Sequence, residues 1–180
     1  MNTYDVVLLV EQALSEVDAR QVVSLHEQVD EDVRYHVLLP VENAAARIES
    51  GIGTLGAGEV MAAPALAMSN EGVEELQKEL LQTCRDDVET SIALLKAAGG
   101  HANGEPLTAE PIAALAEKVA ELDAREAIIL TRSHVVSEFF HLDWTSRARR
   151  KLGVPVLHLL EHETFDEQAE SYGEEGVTGL

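Results

Sequence analysis

The run Tyr4-Asp5-Val6-Val7-Leu8-Leu9-Val10 decides the fold class, because its apolar residues are consecutive rather than alternating. A strand with one wet face alternates apolar and polar residues. A strand covered on both faces does not, and cover on both faces is the habit of parallel sheets. Ser15 then opens a helix, with Asp18 three residues on as the partner of a capping box and Val17, Val22, Leu25 and Val29 as its inner stripe. A second β run, VRYHVLLPV at 33–41, completes a βαβ unit within about forty residues. Its crossover is expected to be right-handed.

Outward from that unit, residues 42–70 are small, Gly-rich and Ala-rich, with no sustained period. They read as a long loop, with a short helix near Ala44–Ile48, and loops of that length are usually functional or mobile. The clearest helix covers 71–98, where Val73, Leu76, Leu80, Cys84, Val88, Ile92 and Leu95 recur at spacings of three and four. Asn70 can cap its start, and Gly99-Gly100 ends it. HANGEPLT (101–108) holds Gly104 and Pro106, so it can pair only as an edge strand, where a missing N–H costs least. A helix at 109–122 leads to the aliphatic strand Ala127–Leu130. The turn Thr131–His134 precedes a helix to about Leu152, which Gly153 ends, and Val154–Leu160 is the last strand. Residues 1–162 form one α/β domain, and 163–180 read as an acidic, disordered tail.

A chain of 180 residues, 46% of them hydrophobic, is long enough to bury a core as a single domain. Aromatic residues are only 4%, which argues against a base-stacking surface. The formal charge of −20 opposes nucleic acid and anionic membranes. No run reaches the roughly 20 apolar residues of a membrane span, and the start carries no basic leader. The single Cys84, on an apolar helix stripe, reads as a buried inert thiol in a reducing compartment. A cytoplasmic location is the expectation. The tail from Glu161 is acidic without Lys or Arg, whereas Arg132, Arg147, Arg149, Arg150 and Lys151 gather within one segment. An anion site would draw on that segment.

LLVEQA (8–13), AEP (109–111), IILTRS (128–133) and GVPVLHL (153–159), in this order of elements, resemble the universal stress protein family over residues 4–160. The resemblance implies a doubly wound, parallel five-stranded sheet in the order 3-2-1-4-5 with helices on both faces, a Rossmann-like three-layer sandwich. It also implies a homodimer. Nucleotide-binding members carry an Asp at the end of the first strand and a G-x2-G-x9-G-[ST] loop after the fourth. Glu11 stands at the Asp position and keeps its charge. Thr131 and His134 stand at the first two glycines, and Leu142-Asp143 or Trp144-Thr145 at the Gly-Ser pair. Side chains there obstruct the approach of backbone N–H groups to phosphates, so ATP binding by the family's mechanism is not expected.

In an open α/β sheet, ligands bind beyond the carboxyl ends of the strands where the order reverses. Under the implied order Glu11, Gln12, Val41, Thr131, Arg132, Ser133, His134 and Thr145 are the candidate ligand-binding residues. Arg132 and Ser133 at a helix start could hold an anion; equally, Arg132 could pair with Glu11 or Glu138. Gly51-Ile52-Gly53-Thr54-Leu55-Gly56 matches GxGxxG but lies in the long loop, not between a strand and a helix, and reads better as a lid than as a dinucleotide loop. His158-Leu-Leu-Glu161-His162 matches an inverted zinc-protease pattern, which needs a helix. On extended chain the two imidazoles would stand about 13 Å apart, so no metal is expected. His141 and Asp143 do not share a helix face, and no Ser sits on a nucleophile elbow.

The leading reading is therefore a non-catalytic, universal-stress-like protein that binds a small ligand or a protein partner in the crevice beyond strands one and four. It has no required cofactor. One alternative is a nucleotide binder using the Gly-rich 51–58 loop. The other is a small enzyme of the wider nucleotide-hydrolase-like group, although Glu11-Gln12-Ala13-Leu14 is unlike that group's pyrophosphate loop. The long aliphatic last strand, through Val154, Val156, Leu157 and Leu159, is the expected homodimer edge.

Overall fold

The computed structural model describes residues 3–41, 70–109, 111–131 and 152–160. Its elements are β1 (Thr3–Val10), α1 (Glu16–Ser24), β2 (Asp32–Pro40), α2 (Asn70–Ala97), β3 (His101–Leu107), α3 (Pro111–Leu122), β4 (Glu126–Thr131) and β5 (Val156–Leu160). The five strands form one sheet in the order β3-β2-β1-β4-β5, and every pairing is parallel.

The consecutive apolar run of β1 is explained by what covers it. Val6, Leu8 and Val10 share a core with Ala19 and Val22 of α1 and Cys84, Val88 and Leu95 of α2. Val7 and Leu9 point the other way, into a core with Leu115 and Val119 of α3. Helices thus lie on both faces, as expected. At about 25 cal/mol per Å² of apolar surface, a strand buried on both sides contributes along its whole length.

Local chemistry places the helices. The Ser15 hydroxyl accepts from the Asp18 N–H at 3.2 Å, and the Asp18 carboxylate accepts from the Ser15 N–H at 2.7 Å, completing the capping box. α1 is shorter than its apolar stripe implies. It stops at Ser24, Leu25 is exposed, and His26 is buried instead. The cause is polar: His26 Nδ1 lies 3.0 Å from Val22 O and 3.0 Å from the Tyr35 hydroxyl, and Nε2 lies 2.6 Å from Glu126 Oε1. Ser91 ties α2 to the turn after β1, accepting from Leu14 N–H at 3.0 Å while donating to Asp87 O. The Cys84 thiol is buried, donates to Leu39 O at 3.3 Å, and is pushed up to about 11 by burial and Asp87. The burial is as its place on the stripe implies.

β3 is an edge strand, as its Gly and Pro require, and the last strand begins at Val156, two residues later than the sequence pattern implied. Gly99 (φ 99°) ends α2 and Gly153 (φ 68°) precedes β5, both in the left-handed region that glycine enters freely. The loop expected over 42–70 with its GxGxxG motif, the body of the helix expected between Arg132 and Lys151, and the tail expected to be disordered lie outside the described residues, apart from Asn70 at the start of α2. No helix among the described residues is long and apolar enough to cross a membrane.

Gly104 is where β3 comes closest to Val37 of β2, beneath Val88 of α2. A Cβ there would stand 2.6 Å from Val37 O, 2.8 Å from Val37 Cβ and 3.1 Å from Val88 Cγ1. Backbone cannot yield as a flexible side chain can. Gly104→Ala is therefore expected to lower unfolding stability by about 1–3 kcal/mol, the usual cost of overpacking. Urea denaturation followed by circular dichroism measures it, and an unchanged midpoint would refute the close approach.

Candidate functional site at the carboxyl edge of the sheet

The strand order reverses at β1. β2 and β3 lie on one side of it, and β4 and β5 on the other. Chains leaving neighbouring strands in opposite directions open a crevice beyond their carboxyl ends. The register pairs Val10 with Leu130, so the next residues, Glu11 and Thr131, leave the sheet side by side. Glu11, Gln12 and Thr131 are all partly exposed there. Val41 follows β2 at the same edge, where its N–H donates to Leu107 O at 2.7 Å and its side chain packs on the core. Val41 is thus a wall residue, with its backbone donor already used. Arg132, Ser133, His134 and Thr145 lie outside the described residues.

The structure adds one residue that the site reading missed. His158 of β5 pairs in register with Ile129, and its Nε2 lies 2.8 Å from the Thr131 hydroxyl. Burial lowers its pKa to about 4, so the ring is neutral near pH 7. The sequence flagged His158 only as half of a metal pattern. The alternation of β5 could have shown it, because His158 lies two residues from the buried Val156 and shares its face. The segment is extended, not helical, through Leu160, which removes the zinc-protease geometry as far as the described residues reach. They hold no group of three or more His, Cys, Asp or Glu side chains able to bind a metal.

The described part of the crevice therefore offers a carboxylate, an amide, a hydroxyl and a neutral imidazole. None of Glu11, Gln12, Thr131 and His158 carries positive charge at neutral pH.

No family model matches this sequence. No curated protein matches it either. Solved structures do. A universal stress protein family protein from Arabidopsis thaliana, determined with AMP bound, is 10% identical, with a TM-score of 0.51 over 88% of this chain and 92% of that one. The universal stress protein UspA from Lactobacillus plantarum is 12% identical, with a TM-score of 0.51 over 88% and 99%. The chain has the universal stress protein fold. A hypothetical protein solved as a test case of structural genomics is also similar, 14% identical with a TM-score of 0.52 over 89% and 99%.

The neutral His158 has a consequence for stability. In the unfolded chain its ring takes a proton below the ordinary histidine value of about 6.5, whereas the fold refuses that proton until about 4. Its contribution is thus fully present above about pH 6.5 and is lost as pH falls toward 4. Chemical denaturation at pH 7 and pH 4.5 should show a larger acid loss for wild type than for His158→Gln. Equal losses would refute the burial of a neutral ring.

Proposed function

We propose that this chain is a non-catalytic ligand-binding protein of the universal stress type, holding a small polar molecule in the crevice beyond β1 and β4. The observation that carries this reading is the reversal at β1, which sets Glu11 and Thr131 side by side at the carboxyl edge. A carboxylate, a hydroxyl and a neutral ring favour hydroxyl-rich or amide-bearing ligands over polyphosphates. Native mass spectrometry of protein purified from its own host is expected to show one small molecule per chain, lost in Glu11→Arg. A chain that carries no such molecule, or keeps it in Glu11→Arg, overturns the reading.

A second reading, an adenine nucleotide held with help from the 51–58 loop, is favoured by the AMP-bound Arabidopsis neighbour. Against it stand Thr131 and His134 where nucleotide-binding universal stress proteins carry glycine. MgATP is therefore expected to bind no more tightly than about millimolar, some 4 kcal/mol. A micromolar constant by calorimetry for MgATP or AMP would promote the second reading over the first.

We also propose a homodimer through β5. Among the described residues β5 pairs only with β4, and a strand edge invites a further strand. Val156 and Leu159 are spent on their own core, which leaves Leu157, 39% exposed, as the side chain facing a partner. Pairing would run antiparallel across a two-fold axis. The charge of −20 opposes association, but salt screens it beyond about 8 Å. Light scattering in physiological salt should give about twice the 19.5 kDa chain mass, and Leu157→Lys should shift it toward monomer. A monomeric wild type would refute it.

A further inference from the structure

On the α3 side of the sheet no described element covers the edge strand. His101, Asn103 and Glu105 of β3 are exposed there, because the apolar stripe of α3 packs on β1 and β4 rather than outward. The trough left between β3 and α3 has two hollows of about 280 and 270 Å³ that share Glu105 and Lys118 as walls. These sizes fall just below the roughly 300 Å³ at which drug-sized sites begin, so a ligand there has few heavy atoms.

The polar groups of the first hollow are held in place. Asn103 Oδ1 lies 2.8 Å from His36 Nδ1, and His36 Nε2 lies 2.7 Å from Asp5 Oδ1. Asp5 Oδ2 in turn accepts from the Thr3 hydroxyl at 2.9 Å. Three adjacent strands thus fix the Asn103 amide; with His36 donating from Nδ1 to Asn103 Oδ1 and from Nε2 to Asp5, the Asn103 NH2 has no partner among the described residues. From α3, Lys118 Nζ lies 2.7 Å from Glu105 Oε1 and 2.8 Å from Glu121 Oε2. Those hydrogen bonds raise its pKa, so the ammonium stays charged. Among the described residues, one ammonium hydrogen and the second Glu105 oxygen are left over.

We propose that this trough is a second ligand site, built for a free α-amino acid. Two donors, the Asn103 NH2 and the Lys118 ammonium, match the two oxygens of a carboxylate. Glu105 Oε2 accepts from the ligand's ammonium. Asn103 and Glu105 are two residues apart on one strand face, about 6.6 Å, which one head group spans with a hydrogen bond at each end. Leu122, partly exposed, is the apolar wall that a small side chain would meet. Charge selects the same class. Two carboxylates around one ammonium repel a bare anion, and a bare cation leaves the two donors unanswered. The site stands apart from the crevice and does not depend on what the crevice binds.

Nitrogen-15-labelled full-length protein titrated with single amino acids tests it. With at least one of them, the Asn103 side-chain NH2 and the backbone amides of 103–105 should shift and saturate below about 10 mM. Putrescine, the amine alone, and acetate, the carboxylate alone, should not saturate the same signals. Asn103→Leu and Lys118→Met should each weaken binding by at least about tenfold while other resonances stay put. If Asn103→Leu disturbs the fold, Lys118→Met carries the test, since it changes a head group on the helix surface. The proposal is overturned if no amino acid saturates these signals, if either half-ligand does so equally well, or if Lys118→Met binds as wild type does.

Discussion

β1 has a hydrogen-bonded strand on each edge and a helical layer on each face, so its backbone and its side chains are all committed inside the protein. Buried N–H and C=O groups must be paired, and in β1 only neighbouring strands can pair them. Parallel neighbours need crossovers, and crossovers supply the helices that hide its two apolar faces. One requirement, the satisfaction of a dry strand, thus sets the layers and the two-sided core. β1 is central because chains leave it in both directions across the sheet, and that divergence opens the carboxyl edge.

The amino end of β1 solves a different problem with polar groups. On one face His26 joins α1 to β2 through Tyr35 and to β4 through Glu126, whose other oxygen accepts from Tyr4 at 3.3 Å. On the other face His36 joins β1 to β3 through Asp5 and Asn103. Each ring contacts partners on both sides, so neither adds an orphaned polar group to the interior. Burial and the nearby Glu126 push the Tyr35 hydroxyl well above its ordinary value, which keeps it neutral. Such networks cost little when complete and much when broken, since removing one member leaves the rest unpaired.

What the sequence made legible follows from this division. Apolar periodicity reports burial, so β1 and the core of α2 could be read from residue types, and Gly104 and Pro106 marked β3 as an edge; the strand order came only from the family resemblance. The capping box at Ser15 and Asp18 was legible because its chemistry is local. The end of α1 was not. Leu25 continues the apolar stripe, but His26 competes for the interior with partners as much as a hundred positions away. The same limit hid the partner of His158: alternation puts the ring on the buried face, but its 2.8 Å contact with the Thr131 hydroxyl exists only because β4 lies beside β5. Long-range polar pairs leave no period.

The carboxyl edge inherits its chemistry from what the core does not need. Val10 and Leu130 are the last buried residues of their strands, and Glu11 and Thr131 follow at the first positions with solvent access. A carboxylate at that point cannot neutralise a phosphate. Glu11, Gln12, Thr131 and His158 bring no positive charge there, and five of the chain's thirteen basic residues fall between Arg132 and Lys151 in sequence. Under the proposed reading Glu11 and Thr131 suit the uncharged part of a ligand, next in sequence to the segment that follows β4. Because β1 and β4 are fixed by their own burial, changes in that segment can alter the ligand without touching the sheet.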